Sequence, residues 1–310
     1  MIKSIAISSY IADFVAYAID GVNVDHNNGL VITEIEGLGP VKANLNFTKL
    51  ATYDGELYNS GNLEGRNIVI KAYYTWCNTI EEARLATYKY FPIKKPLQLR
   101  VDTDNRSVYT IGYVESHEPV IFSENCEVSI SIRCESSFFR DERGIIEQSF
   151  SNVEPLFEFV YENNSLSPVT EISSYEPKKQ CHVNYDGDNE QGFEMLLHAV
   201  GDVKNPIIYN IRTGQSIKID SEKLRAKTGD YFKEGDDIII NSIQGKKTAK
   251  LLRDGNYYNI LNVLGKDPAW FTLAHGDNIF IYTADYSNEG IATDQNLRIY
   301  VRVQPLYDGV

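Results

Sequence analysis

Short runs in which apolar and polar residues alternate constrain the fold of this chain more than any other feature. The period is two, as in a β-strand whose successive side chains point to opposite faces of a sheet. Dipeptides that favour tight turns separate many of the runs. The clearest runs are Leu97–Val101, Val128–Ile132 and Leu297–Val303, with Ile68–Tyr74 less regular, and the turn signals are Asp54-Gly55, Asp104-Asn105, Asp186-Gly187, Thr213-Gly214 and Asp254-Gly255. We therefore predict a mainly β protein built of antiparallel sandwiches or barrels.

One segment departs from this period and predicts an α-helix over about 79–91. Thr79 can cap its first turn, and Glu82 three residues later completes a capping box. Pro92 ends it, because proline cannot continue a helix. The apolar stripe at helical spacing consists of Ile80, Ala83, Thr87 and Tyr90. The first half of the chain should therefore combine sheets with one helix.

The length of 310 residues predicts about two domains. The strand pattern is interrupted after the strand that ends at Cys134, and a second set of strands begins near Phe157. We predict a first domain over 1–140, a linker over 141–155 and a second domain over 156–310. The net charge of −13 argues against a surface that binds nucleic acid or anionic lipid, since both need clustered positive charge.

No apolar run approaches the roughly 20 residues of a membrane-spanning helix, and the N-terminal segment lacks the apolar core of a signal peptide. The four cysteines have no CxxC spacing and are too few for a disulfide framework. We expect reduced thiols and synthesis in a cytoplasm, without membrane insertion.

The common signatures of catalysis and metal binding are absent. The five histidines form neither HExxH nor a zinc-finger spacing, and there is no GxSxG, P-loop or GxGxxG. We expect no catalytic residues, no metal site and no cofactor. The segment Asp186–Glu190 has enough oxygen atoms for Ca²⁺ but lacks the EF-hand pattern, so we interpret it as a solvated acidic turn, with a Ca²⁺ loop as the alternative.

The chain contains 21 tyrosines against two tryptophans. Tyrosine suits interfaces, because it offers a rigid apolar ring with a polar tip, but it also favours strands. Both interpretations stay open for the two clusters, which are Tyr53, Tyr58, Tyr73, Tyr74, Tyr88 and Tyr90 in the first half and Tyr257 with Tyr258 in the second.

An ordered set of segments resembles the distal tail (Dit) proteins of long-tailed phages and related prophages. No single segment is diagnostic, and the resemblance covers nearly the whole chain. The first-half segments are Ile35–Val41, Asp54-Gly55, Asn59-Ser60, Gly65–Ile70 and the helix with Ala83-Arg84, Tyr88 and Phe91. The second-half segments are Gly201-Asp202, Asn205–Asn210, Thr213-Gly214, Gly235–Ile240, Trp270–Leu273, His275–Asn278 and Tyr307–Val310.

The resemblance implies a tail-tube-like N-terminal β-sandwich or split barrel with one helix, and a C-terminal galectin-like or carbohydrate-module-like antiparallel β-sandwich. It implies a non-enzymatic protein at the tail tip of a virion, assembled as a hexameric ring. Implied partners are further copies of the chain, the tail tube protein, the tail-tip hub protein and receptor-binding or baseplate proteins. DNA would pass through the lumen without specific binding, and the acidity of the chain would repel it; solubility before assembly is the alternative reason for that acidity.

The irregular segment 49–65 is long for a connection and carries aromatic residues, as functional loops often do. We hypothesise that it reaches the neighbouring protomer. The candidate interface residues are Tyr53, Asp54, Leu57, Tyr58, Asn59 and Arg66.

A second candidate function is that of a carbohydrate-binding module, in which the C-terminal sandwich contacts host cell-wall glycans. The candidate sugar contacts are Tyr257, Tyr258 and Trp270. Trp270 precedes Phe271 in an apolar strand, without the His-Asn-Arg cluster with which galectins bind sugar. We therefore favour a core position for Trp270, because a galectin-like fold does not by itself imply lectin activity.

Overall fold

The computed structural model describes residues 2–9, 13–19, 22–24, 30–51, 54–74, 79–120, 127–149, 151–155, 173–177, 180–265, 270–285 and 293–310. The chain divides into two compact units. The first comprises residues 1–144 together with 306–310, and the second comprises residues 145–305. Nearly all regular structure in both is antiparallel β, as the alternating sequence pattern predicted.

The first unit is an antiparallel sheet with one helix. Its elements in chain order are β1 (Ile2–Ser9), β2 (Asp13–Ile19), β3 (Val22–Val24), β4 (Leu30–Glu36), β5 (Ala43–Lys49), β6 (Glu56–Leu63), β7 (Asn67–Tyr74), α1 (Ile80–Tyr90), β8 (Pro96–Thr103), β9 (Ser107–Pro119), β10 (Glu127–Cys134) and β11 (Phe139–Asp141).

The main sheet of this unit closes on itself. Its order is β10-β7-β4-β3-β2-β1-β8-β9, and β9 pairs with β10 as well. Closure leaves no free edge among these eight strands, so they form a barrel. The inward side chains are the apolar members of the alternating runs, among them Ile5, Ile70, Leu99 and Ile130, each 0% exposed.

Helix α1 begins and ends where the sequence predicts. The Thr79 hydroxyl accepts a hydrogen bond from the backbone N–H of Glu82 at 3.3 Å, and the Phe91 N–H donates to the carbonyl of Thr87 at the other end. The side chain of Phe91 is buried in the core of the unit and so fixes the end of the helix to the barrel.

The second unit contains 14 strands and one α-helix among the described residues. Its elements are β12 (Ile146–Ser149), β13 (Ser151–Pro155), β14 (Ser173–Pro177), β15 (Gln180–Tyr185), β16 (Gln191–Gly192), β17 (Glu194–Ala199), β18 (Ile207–Asn210), β19 (Gln215–Lys218), α2 (Ser221–Thr228), β20 (Asp237–Asn241), β21 (Thr248–Arg253), β22 (Asn256–Asn259), β23 (Thr272–Leu273), β24 (Gly276–Thr283) and β25 (Leu297–Val303), with short 3-10 helices at Leu261–Val263 and Thr293–Asn296.

Two sheets share the core of this unit. One has the order β12-β25-β17-β20-β21-β22 and the other β15-β24-β18-β19. Leu197, Ile238 and Val301 of the first sheet and Val183 and Phe280 of the second belong to one apolar cluster. The predicted antiparallel β-sandwich is therefore confirmed.

Helix α2 was not predicted from the sequence. Asp220 caps it by accepting hydrogen bonds from the N–H groups of Glu222 and Lys223 at 3.1 Å, and Gly229 ends it in the left-handed region at φ 87°. The helix has eight residues, of which Leu224 is the buried apolar one. One buried apolar residue creates no helical period, so the sequence pattern does not predict this helix.

The chain ends in the first unit, where strand β26 (Leu306–Tyr307) pairs with β11. The Tyr307 hydroxyl donates to Asp141 at 3.0 Å, and both side chains are buried. The sequence pattern instead predicts that the whole of 156–310 lies in the second domain and that 141–155 is a linker, where the structure has the end of β11, β12 and β13. Strands of two to five residues are too short to produce a recognisable alternation.

Candidate functional site

Strands β5 and β6, which follow β4 and precede β7 in the chain, form a separate two-stranded sheet. Every residue of both strands is exposed. At about 3.3 Å per residue, β6 alone spans roughly 26 Å. An isolated two-stranded hairpin is marginally stable in water and needs further packing. We therefore interpret the hairpin as an arm that packs against a surface outside its own unit.

The two faces of the hairpin differ in chemistry. Residues that lie opposite each other in an antiparallel pair share a face, and successive residues alternate between faces. The register therefore collects Ala43, Leu45, Phe47, Tyr58, Gly61 and Leu63 on one side, with the Lys49–Glu56 pair at its tip end, and Asn44, Asn46, Thr48, Leu57, Ser60 and Asn62 on the other. We call the first side the apolar face and the second the polar face. Apart from Leu57, the polar face consists of Asn, Thr and Ser.

Contacts within the hairpin confirm this division. The rings of Phe47 and Tyr58 meet edge to face with centroids 5.6 Å apart. Asn59 is the extra residue of a β-bulge, and its amide donates to the Thr48 hydroxyl at 2.6 Å on the polar face. The exposed fractions of Leu45, Phe47 and Tyr58 are 56%, 45% and 56%. Contiguous exposed apolar side chains of this kind mark interaction surfaces.

The root of the hairpin is held by Arg66, which follows β6 and is 0% exposed. Its five N–H groups make five hydrogen bonds of 2.5–3.1 Å to the backbone carbonyls of Gly37, Gly39, Ser137 and Asp308. The guanidinium also lies 4.2 Å from the ring centroid of Phe139. Arg66 therefore ties both ends of the hairpin to the loop before β11 and to the C-terminal residues.

The chain approaches itself closely at this root. Gly37 has φ 87°, and a Cβ atom there would lie 2.1 Å from the carbonyl oxygen of Asn67. The Val310 N–H donates to the Leu38 carbonyl at 3.1 Å. Only glycine fits at position 37, because a side chain would meet backbone atoms that cannot move away.

No family model matches the sequence, and no curated protein matches it. Among solved structures, the Dit protein of phage SPP1 is similar over 97% of this chain and 98% of its own, with a TM-score of 0.59 and 11% sequence identity. The chain has the Dit fold. The SPP1 protein is described as a paradigm of the hub adsorption apparatus in phages that infect Gram-positive bacteria.

Two structures of the phage P2 baseplate in its activated conformation, one with Ca and one with Sr, are also similar at 11% identity. They cover 100% and 99% of this chain and 100% and 99% of their own chains, with TM-scores of 0.44 and 0.43.

Within the Dit fold, the predicted interface residues fall into three groups. Asp54, Leu57, Tyr58 and Asn59 are exposed on the hairpin. Tyr53 lies outside the described residues. Arg66 requires a correction, because a fully buried side chain cannot touch another protomer directly. Burial lowers the pKa of its guanidinium, nearby Cys134 and Asp308 act in the opposite direction, and four backbone carbonyls accept its hydrogen bonds.

The sequence analysis missed the first strand of the hairpin. Leu45 and Phe47 are central to its apolar face, although neither was selected. The signal was present, because residues 44–48 alternate as Asn-Leu-Asn-Phe-Thr. The alternation is short and lies outside 49–65, the irregular segment predicted to be functional.

The three candidate sugar contacts differ in exposure. Tyr257 is 65% exposed on the edge strand β22, with its ring centroid 6.0 Å from the Lys250 ammonium. Tyr258 and Trp270 instead pack against the core of the sandwich. A core position for Trp270 agrees with the preference stated from the sequence.

The remaining chemistry of the described residues is modest. In the turn 186–190, Glu190 accepts a hydrogen bond from the Thr272 hydroxyl at 3.2 Å. Within the described ranges, no three His, Cys, Asp or Glu side chains are grouped so that they could hold a metal ion. In the same part of the chain, no helix is both long and apolar enough to cross a membrane.

His117 packs beneath helix α1. Its Nε2 lies 3.2 Å from the Thr87 hydroxyl, which donates to the Arg84 carbonyl, and its ring lies 4.9 Å from that of Tyr88. Burial lowers the pKa of His117 below its usual 6.5. The imidazole is therefore neutral in the folded protein at neutral pH, and protonation would place a charge beneath the helix.

We predict that acid weakens the attachment of helix α1. Because the pKa of His117 is lower in the folded than in the unfolded chain, unfolding takes up a proton once the pH falls below about 6.5, and stability declines from there. The free energy of unfolding should fall more between pH 7.5 and pH 5 in the wild type than in His117→Gln. An equal loss of unfolding free energy in the two proteins would show that His117 is not the group responsible.

Proposed function

We propose that this protein is a structural distal tail protein of a phage or prophage-derived tail. In this role it forms a ring, most simply a hexamer, that joins the tail tube to the tail-tip hub. The observation that carries the proposal is the uncovered apolar face of the hairpin on a unit of Dit fold. The fold supports the class of protein, and the hairpin supplies a reason for its copies to associate.

The chemistry of the hairpin supports self-association. Phe and Tyr side chains that are half exposed in the free chain are the residue types that form the buried centres of protein interfaces. The polar face carries uncharged amides and hydroxyls, which remain satisfied in water. Such an amphipathic arm can bury one face on a neighbour and leave the other in solvent.

The charge of the chain is consistent with a ring around a DNA channel. With a net charge of −13, the protein offers little basic surface to hold phosphate. DNA can pass through the channel only if the channel wall repels it or does not bind it. Partners in this function are the tail tube protein, the tail-tip hub protein and receptor-binding or baseplate proteins, and the location is the tail tip of the virion.

Absolute mass tests the proposal. We expect light scattering on the purified protein at increasing concentration to reach about six times 35.2 kDa. Negative-stain images of the same fraction should show rings with a central hole. A protein that remains monomeric at all concentrations, and also in mixture with the tail tube protein, would contradict the proposal.

A further inference from the structure

A second exposed apolar surface lies on helix α1 and the residues that follow it. Leu85, Tyr88 and Ile93 are 52%, 41% and 51% exposed. Tyr88 packs on His117, and Ile93 forms a bridge with Val114. Val114 and His117 are three residues apart on β9, or about 10 Å. The exposed side chains therefore lie close together, and we call Leu85, Tyr88 and Ile93 the α1 patch.

Basic side chains border the α1 patch. Lys89, Lys94 and Lys95 are all exposed around the end of the helix. The hairpin carries the opposite charge at its tip, where Asp54 and Glu56 are exposed. Lys49 offsets part of this charge through an exposed pair with Glu56 at 3.7 Å. The tip is therefore net acidic, and the border of the α1 patch is basic at the C-terminal end of the helix, whereas Glu81 and Glu82 are exposed on the first turn.

Ring assembly requires two different surfaces on each copy. In a head-to-tail ring, one surface of each subunit binds another surface of the next, and the two must be complementary. The apolar face of the hairpin and the α1 patch are both uncovered in the free chain. They match in apolar character, and their borders match in charge.

We propose that the hairpin of one copy docks on the α1 patch of the next copy. Leu45, Phe47 and Tyr58 cover Leu85, Tyr88 and Ile93, while Asp54 and Glu56 at the tip lie against Lys94 and Lys95. This inference rests on the proposed ring and adds the surface that receives the arm. Opposite charges at the rim orient the arm along the helix and speed association.

Charge reversal tests the pairing. In Lys94→Glu/Lys95→Glu, like charges meet at the tip, and we expect the concentration for half-assembly to rise at least 10-fold. Adding Asp54→Lys/Glu56→Lys to that variant restores opposite charges and should recover most of the affinity. Lys246→Glu/Lys247→Glu reverses an adjacent, exposed lysine pair in the second unit and should leave assembly unchanged.

Photo-crosslinking provides a readout that does not depend on charge. A benzophenone amino acid at position 88 in ¹⁵N-labelled protein, mixed with unlabelled protein, should crosslink to unlabelled peptides from 43–63. Rings that form normally after charge reversal, or crosslinks that exclude the hairpin, would overturn this pairing. Neither result would contradict the proposal that the protein forms a ring. Absence of any ring in the wild type would instead contradict the proposed function.

Discussion

Replacing Arg66 with methionine is expected to destabilise the first unit by about 3–5 kcal/mol, because several carbonyls lose a charged hydrogen-bond donor and each such bond contributes roughly 1.5–3 kcal/mol. The substitution keeps much of the side-chain volume but leaves four backbone carbonyls without their charged donor. Those carbonyls belong to three segments that are far apart in the sequence. Arg66→Lys should rescue little, because one ammonium cannot reproduce a planar fork of five donors.

Hydrogen exchange can locate this loss. We expect faster exchange in β7, β11 and the C-terminal residues of Arg66→Met, with the second unit unchanged. Arg133→Ala is the matched control, since Arg133 lies beside Gly65 at the same root but is exposed, and its removal should change stability by no more than about 0.5 kcal/mol. Equal losses of stability in Arg66→Met and Arg133→Ala would show that the hydrogen bonds of Arg66 do not stabilise the first unit.

The second large effect is expected on assembly rather than on folding. In Leu45→Glu/Phe47→Glu, two charges enter the apolar face of the hairpin, and any interface built on it must bury them. We expect the concentration for half-assembly to rise more than about 100-fold, which corresponds to roughly 3 kcal/mol. The free energy of unfolding of the monomer should fall by no more than about 1.5 kcal/mol, the value of the lost Phe47–Tyr58 ring contact, because both positions are already exposed in the free chain.

The control for this variant lies on the same strand. Asn44→Glu/Asn46→Glu adds the same charge one residue away, on the polar face. Light scattering should find normal rings for the control and monomers for the apolar-face variant. Loss of assembly in both would point to a general effect of charge on the arm, and normal assembly in both would remove the hairpin from the interface.

Much of the fold was predictable because it depends on local patterns. Val128–Ile132 and Leu297–Val303 alternate strictly, since one face of each strand is buried, and both lie within strands of the structure. Helix α1 has a cap and a stop within its own segment. Helix α2 and strand β26 lack such signals, because their positions depend on contacts with distant residues.

The candidate site was predictable only in part. Tyr58 and Leu57 were selected because the segment is long and aromatic, whereas Leu45 and Phe47 became visible only once the register placed them beside Tyr58 and Leu63. The register depends on the bulge at Asn59, and a single extra residue reverses which side chains share a face.

The β architecture, the place of helix α1 and the acidic net charge were readable from the sequence, since they follow from nearest neighbours and from composition. Tertiary structure alone decided the role of Arg66. Its neighbours Gly65 and Asn67 are exposed, and nothing local indicates a buried cation. Its burial requires carbonyls that come from up to 242 positions away in the chain. A buried charge is stable only where folding brings enough partners together, and that condition is a property of the assembled chain rather than of any segment.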